Sequence, residues 1–247
     1  MTKYLQSLFF VSVLFVSCRS HFEVTKKASS QYKFTDTSYS AIDSSLEKEI
    51  DPYREKMQVT MNQVLAYSTH SLEKGLPESR LGNFLADACM FSANVKGTSP
   101  DFAVFNNGGL RRPLPQGQIT RGDVFELMPF ENELVILTAS GEDVKKIYNF
   151  IASKGGAPVS GLQMHFKDST VTNVIINNLP FDSTKTYHVL TSDYLANGGD
   201  SFNFFIGLPR QSVSLKVRDA LIFYLEEQTK KNKQISTEID GRMIHDK

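Results

Sequence analysis

The grouping of apolar residues constrains this chain more than any other feature. Short runs of strand length, closed by Gly, Pro or Asn, alternate irregularly with stretches of helical period. Ile42, Leu46, Ile50, Tyr53, Met57, Met61, Val64 and Leu65 recur mostly at three- and four-residue steps and predict a helix face, with a turn or kink at Pro52. After a breaker-rich loop at residues 73–77, a second helix is predicted from about Leu81 to Asn94. Strands are predicted at Phe102–Phe105, Leu134–Thr138, Met164–Phe166, Val171–Ile176 and Tyr187–Thr191, with a turn at Asn177-Asn178. A helix should run from Gly141 through Phe150, and a last one from about Val213 to Lys230. Because these elements lack regular βαβ spacing, the reading is α+β: a mixed sheet with flanking helices in a single domain.

The first residues follow a different logic. Lys3 precedes an apolar run, Leu8 to Val16, which has the shape of a secretory signal and is too short to span a bilayer as a helix. Ser17-Cys18 after that run is similar to a bacterial lipobox, with Phe15 where Leu is usual. The expectation is a lipoprotein signal over 1–17, with Cys18 as the lipidation site and membrane anchor. A polar tether follows over 18–41, carrying one short strand at Gln31 to Phe34. The folded domain spans 42–232, and a charged tail 233–247, with one short packed piece near Ile239, closes the chain. Acylation of Cys18 would leave Cys89 without a disulfide partner, in an apolar stretch that favours a core role. The 27 Lys+Arg balance 27 Asp+Glu, which argues against a partner that is a nucleic acid polymer.

The five His residues show no metal-ligand spacing, and no GxSxG, GxxxxGK[ST] or GxGxxG motif occurs. No catalytic residue and no metal ligand is therefore assigned to this chain. Asp193 and Asp200 could form a carboxylate pair. Three segments set polar or aromatic groups beside Gly or Pro. Asn106 to Arg111 has Gly108 and Gly109, which allow close backbone approach, and a guanidinium fork. Gly122 to Asn132 could present Phe130 after Pro129. Thr191 to Asp200 carries Tyr194 and a carboxylate around Asn197-Gly198-Gly199. Two aromatic faces, a diol acceptor and an anion fork together suit a nucleoside phosphate.

Four segments resemble one family in its own order. Glu78-Ser79-Arg80-Leu81-Gly82-Asn83-Phe84-Leu85-Ala86-Asp87-Ala88 resembles the ES-x-LGNLxADA segment of the 5′-nucleotidase C-terminal domain. Asn106 to Arg111 is similar to its NGGGIR loop, Ile119 to Phe130 to its IT-x-GDV-x-x-x-x-PF segment, and Tyr194 to Asp200 to its YLA-x-GGD loop. The resemblance covers about residues 45–228. It implies the fold of that domain and a substrate-binding set of Asn106, Gly108, Gly109, Arg111, Phe130, Tyr194, Asn197, Gly199 and Asp200. Phe130 and Tyr194 would sandwich the base, Asp200 would bind the ribose hydroxyls, and Asn106 and Arg111 would contact the nucleotide.

The chain departs from the family at two positions. Pro77 stands where an additional Arg is frequent, with Lys74 nearby, and Asn107 replaces a Gly. Nothing between Cys18 and Ser45 resembles the metallophosphatase domain that precedes this one in full-length members. The resemblance thus implies the substrate-binding half of a phosphoesterase, inactive alone, in the bacterial cell envelope. A separate metallophosphatase chain would carry the divalent metals, and this chain would need no cofactor of its own. Two alternatives stand beside it: a lipid-anchored nucleotide- or nucleoside-binding module without hydrolysis, and a degenerate interaction protein.

Overall fold

The computed structural model describes residues 26–31 and 44–246. The proposed signal and Cys18, the strand expected at 31–34 beyond Gln31, and Ile42 lie outside the described residues. The chain divides into two compact units, 1–48 and 49–247. In the first, residues 26–31 are exposed and without regular structure. The first turn of the helix that starts at Ser44 belongs to the first unit, and the second holds the rest of the fold described below.

Helix α1, Ser44–Met61, runs through Pro52 without breaking. Pro52 therefore starts no turn, and the helix stops before Val64 and Leu65, which belong to strand β1, Val64–Ser68. The apolar face read from its period is not buried: Leu46, Ile50, Met57 and Tyr53 are exposed, Tyr53 by 77%. Helix α2, Arg80–Val95, follows, capped by the Ser79 hydroxyl, which accepts the Gly82 N–H. Then come β2 (Phe102–Val104), a 3₁₀ turn at Asn107–Gly109, β3 (Gly117–Thr120) and α3 (Arg121–Leu127). Next are β4 (Glu133–Ser140) and α4 (Gly141–Ser153). Reciprocal capping boxes, Thr120 with Asp123 and Ser140 with Asp143, start α3 and α4. Strands β5 (Val159–Ser160), β6 (Leu162–Lys167), β7 (Thr170–Ile176), β8 (Leu179–Pro180) and β9 (Thr186–Ser192) precede the short α5, Asp193–Ala196. Asn177 and Asn178, both at positive φ, form the expected turn between β7 and β8.

The stretch expected as helix from Val213 begins instead as β10, Arg210–Lys216, and α6 occupies Val217–Lys230. Val213 and Leu215, two residues apart among polar neighbours, follow the strand period rather than the helical one. The segment read as a charged tail is packed. Strand β11, Met243–His245, pairs in parallel with β6, and Ile235 and Met243 are buried, whereas Ile239 is exposed. The Glu78 carboxylate fastens this segment by accepting the N–H groups of Asp240 (2.8 Å), Gly241 (3.1 Å) and Met243 (3.4 Å).

The main sheet is mixed, in the order β10-β4-β9-β2-β5, with β2 and β9 parallel and the other pairs antiparallel. A second sheet has the order β11-β6-β7-β8, and β1 pairs with β3. Strand alternation divides the main sheet between two cores. Leu134, Ile136, Leu190 and Ala103 face one core with α2 and α6. Val135, Leu137, Val189, Phe102 and Val104 face the other, with α4 and the second sheet. Burial on both faces explains why β4 reads as an unbroken apolar run. Among the described residues, no helix is long and apolar enough to cross a membrane.

Candidate functional site

Sheet topology collects the candidate residues at one edge. Parallel β2 and β9 leave the sheet in the same direction, so Asn106–Arg111 and Tyr194–Asp200 emerge side by side. Antiparallel β4 starts at that edge, with Leu134 opposite Ser192, and the loop before it carries Phe130. Asn106, Gly108, Gly109, Arg111, Phe130, Asn132, Tyr194 and Asp200 line one cavity of about 260 Å³. Residues singled out in three separate sequence segments thus share one wall, which Asn132 completes.

The Asp200 carboxylate organises the floor. One oxygen accepts the Tyr194 hydroxyl at 2.8 Å, and the other accepts the Asn106 side-chain amide. The Asp200 N–H returns a bond to the Tyr194 oxygen at 3.2 Å. The Asp200 hydrogen bond pushes the Tyr194 phenol above its ordinary pKa, because an anionic phenolate would lose that bond and repel the carboxylate. Asp200 itself stands at φ 49°, outside the preferred range for a non-glycine residue.

Space is tight at Gly108 and tighter still at Gly199. A Cβ on Gly108 would lie 3.0 Å from an Asp200 carboxylate oxygen, and one on Gly199 would lie 2.5 Å from the Tyr194 ring. Gly199 therefore does not line the cavity; its backbone backs the aromatic ring. Asn197 does not line it either, since its side-chain oxygen accepts from Arg210 at 2.7 Å and ties the loop to β10. Asp193 does not pair with Asp200: it accepts the N–H groups of Glu133 (3.1 Å) and Tyr194 (2.7 Å).

Phe130 and Tyr194 are 37% and 42% exposed, which leaves ring surface open on both. The Arg111 guanidinium lies 5.9 Å from the Phe130 centroid and makes no ion pair among the described residues. Behind it, the Lys74 ammonium donates to the Leu110 carbonyl at 3.4 Å, so a cation near the glycine loop persists although Pro77 replaces the expected Arg. A larger cavity of about 400 Å³ shares Asn106, Gly108 and Asp200 with the first. Asn107, the other departure, lines it with a buried side-chain oxygen that has no partner among the described residues.

The loop carrying Phe130 is fixed by residues that no motif marked. Arg218 and Lys216 both pair with Glu131, and these bonds, Lys216 first, hold the Glu131 carboxyl at about 2. Cys89 is fully buried in the core, where burial raises its thiol pKa. No group of three or more His, Cys, Asp or Glu among the described residues is placed to hold a metal ion.

Fold and site together define an α+β domain whose cleft offers two aromatic faces, a carboxylate acceptor and a guanidinium without a carboxylate partner among the described residues. The chain belongs to the 5′-nucleotidase, C-terminal domain family, whose profile matches residues 44–206. It is 32% identical over 161 residues to a 5′-nucleotidase of Vibrio parahaemolyticus serotype O3:K6, which covers 61% of this chain and 28% of that protein. A cell wall protein of Listeria monocytogenes serovar 1/2a is 29% identical over 185 residues, 68% of this chain and 24% of that one. The chain thus spans about a quarter of the length of these curated relatives. Among solved structures, a 5′-nucleotidase precursor from Thermus thermophilus matches with a TM-score of 0.70 at 27% identity, over 82% of this chain and 43% of that chain.

Proposed function

We propose that this domain is the substrate-binding half of a 5′-nucleotidase-type phosphoesterase. It would hold a nucleoside 5′-phosphate with the base between Phe130 and Tyr194. The observation that carries this reading is the convergence of those rings with Arg111, Asn106 and Asp200 on one cavity. Each group has a role its chemistry suits. The rings stack on any base, at about 1–3 kcal/mol per base. The Asp200 carboxylate accepts ribose hydroxyls once Tyr194 and Asn106 release it, and the Arg111 fork takes phosphate oxygens.

Hydrolysis is assigned to a separate metallophosphatase chain. Divalent metals on that chain would activate the attacking water, while the residues here bind and orient the nucleotide. Two named relatives bear on the rest of the reading: one is a 5′-nucleotidase, which suits a nucleotide substrate, and another a cell wall protein, which agrees with an envelope location.

The test is calorimetric titration of AMP and adenosine, followed by a phosphate-release assay of AMP with a divalent metal. In the assay this chain is mixed with a lone metallophosphatase chain from the same organism. Binding with release only in the mixture is the expected result. Binding without release in the mixture would leave a nucleotide-binding module, and absence of binding to the folded chain would overturn the reading.

A further inference from the structure

Phe130 stands in a loop without regular structure, between the end of α3 and the start of β4. An aromatic ring on such a loop makes a good stacking platform only if its backbone is held before the ligand arrives. The alternate carbonyls of this loop are all held by the first turn of α6. Arg218 donates through Nη1 to the carbonyls of Met128 (3.5 Å) and Phe130 (3.3 Å), and the Val217 N–H donates to the Asn132 carbonyl at 2.8 Å. The other terminal guanidinium nitrogen, Nη2, pairs with Glu131, which Lys216 also engages. The Arg218 carbon at the centre of the fork lies 4.1 Å from the centroid of Phe125, on α3.

Arg218 is 6% exposed, and its buried Nε finds no acceptor among the described residues. Its bonding is thus committed to the loop. A planar fork that reaches two carbonyls and a carboxylate while lying on a ring cannot be replaced by a lysine ammonium.

We infer that Arg218 is the positioning residue of the site: it fixes the backbone that presents Phe130, and so sets the affinity for the base without touching it. This inference rests on the reading of Phe130 as a stacking ring.

The experiment is a double-mutant cycle on the full chain with adenosine as probe: the parent, Arg218→Lys, Phe130→Ala and the double variant, titrated by calorimetry. Arg218→Lys is expected to weaken adenosine about tenfold in the parent and to have no further effect once Phe130 is Ala. A purely structural role would weaken both backgrounds equally, and that result overturns the inference, as does an unchanged affinity in the parent background. A second readout needs no ligand. With 4-fluorophenylalanine at position 130, the parent should give one narrow fluorine resonance and Arg218→Lys a broadened or split one; identical spectra overturn the inference. If the parent fails to bind adenosine, the stacking reading fails on its own, while the fluorine spectra still decide the role of Arg218. Should Arg218→Lys not fold, Glu131→Gln removes the charge of the exposed partner and should weaken adenosine by about threefold; no change would again overturn the inference.

Discussion

At the residue scale, the proposed site rests on one carboxylate and two rings, and each can be tested separately. Tyr194→Ala removes one of the two proposed stacking faces and should lower adenosine affinity about 5- to 150-fold, from roughly 1–3 kcal/mol of stacking. Tyr194→Phe keeps the ring and should retain most of that affinity, so calorimetry of the two variants separates the ring from the hydroxyl. The Tyr194–Asp200 bond has its own signature. The folded state favours the neutral phenol, so the stabilisation is complete below the unfolded tyrosine pKa and is lost as pH rises through the elevated folded value. Spectrophotometric titration should find one phenol that returns toward the ordinary range in Asp200→Asn, and an unchanged curve would refute the assignment. Asn106, Gly108, Gly109, Arg111, Phe130, Tyr194 and Asp200 were legible in the sequence because each stands in a short polar segment beside Gly or Pro, within a family motif. Asn197 and Gly199 share those motifs but serve the loop itself, a distinction that only the Arg210 bond and the Tyr194 ring reveal. Arg218 was not legible: a lone Arg in the first turn of a helix has no pattern, and its meaning comes from a loop about 90 residues earlier.

At the scale of elements, legibility followed period and burial. The apolar run of β4 was readable because both faces of the strand are covered. The apolar period of α1 was readable as a helix, but not its exposure, since periodicity reports a face and not what covers it. The charged composition of 233–247 concealed a strand whose hold comes from Glu78, an acceptor in a distant segment. Deleting residues 234–247 removes the buried Ile235 and Met243 and leaves the buried Glu78 carboxylate without the N–H groups of Asp240, Gly241 and Met243. The loss should be on the order of 4 kcal/mol, a fall of about 10 °C in thermal midpoint for a domain of this size. A midpoint within a degree or two of the parent would show the segment to be dispensable. Glu78→Gln, which keeps one acceptor, should lie between the two.

At the scale of the whole molecule, irregular interleaving of helix and strand was enough to predict α+β, while the division of one sheet between two cores required the three-dimensional register. Cys89 reports on that assembly. Its thiol is completely buried with a raised pKa, so in the folded protein it should react with a thiol reagent only at the rate of global unfolding. Labelling faster than unfolding, followed by mass spectrometry, would reveal a local opening of that core. The bonds made by Glu78 also have a consequence for time. The carboxylate waits for an N–H at Met243 that follows it by 165 residues. At synthesis rates of roughly 5–20 residues per second, that partner emerges about 10–30 seconds later. Throughout that interval the nascent polypeptide holds a carboxylate short of its partners, and once β6 has emerged its edge stays open for a strand not yet made. Closure of this part of the interior therefore waits for residues 240–243, however early the segments around Glu78 are made.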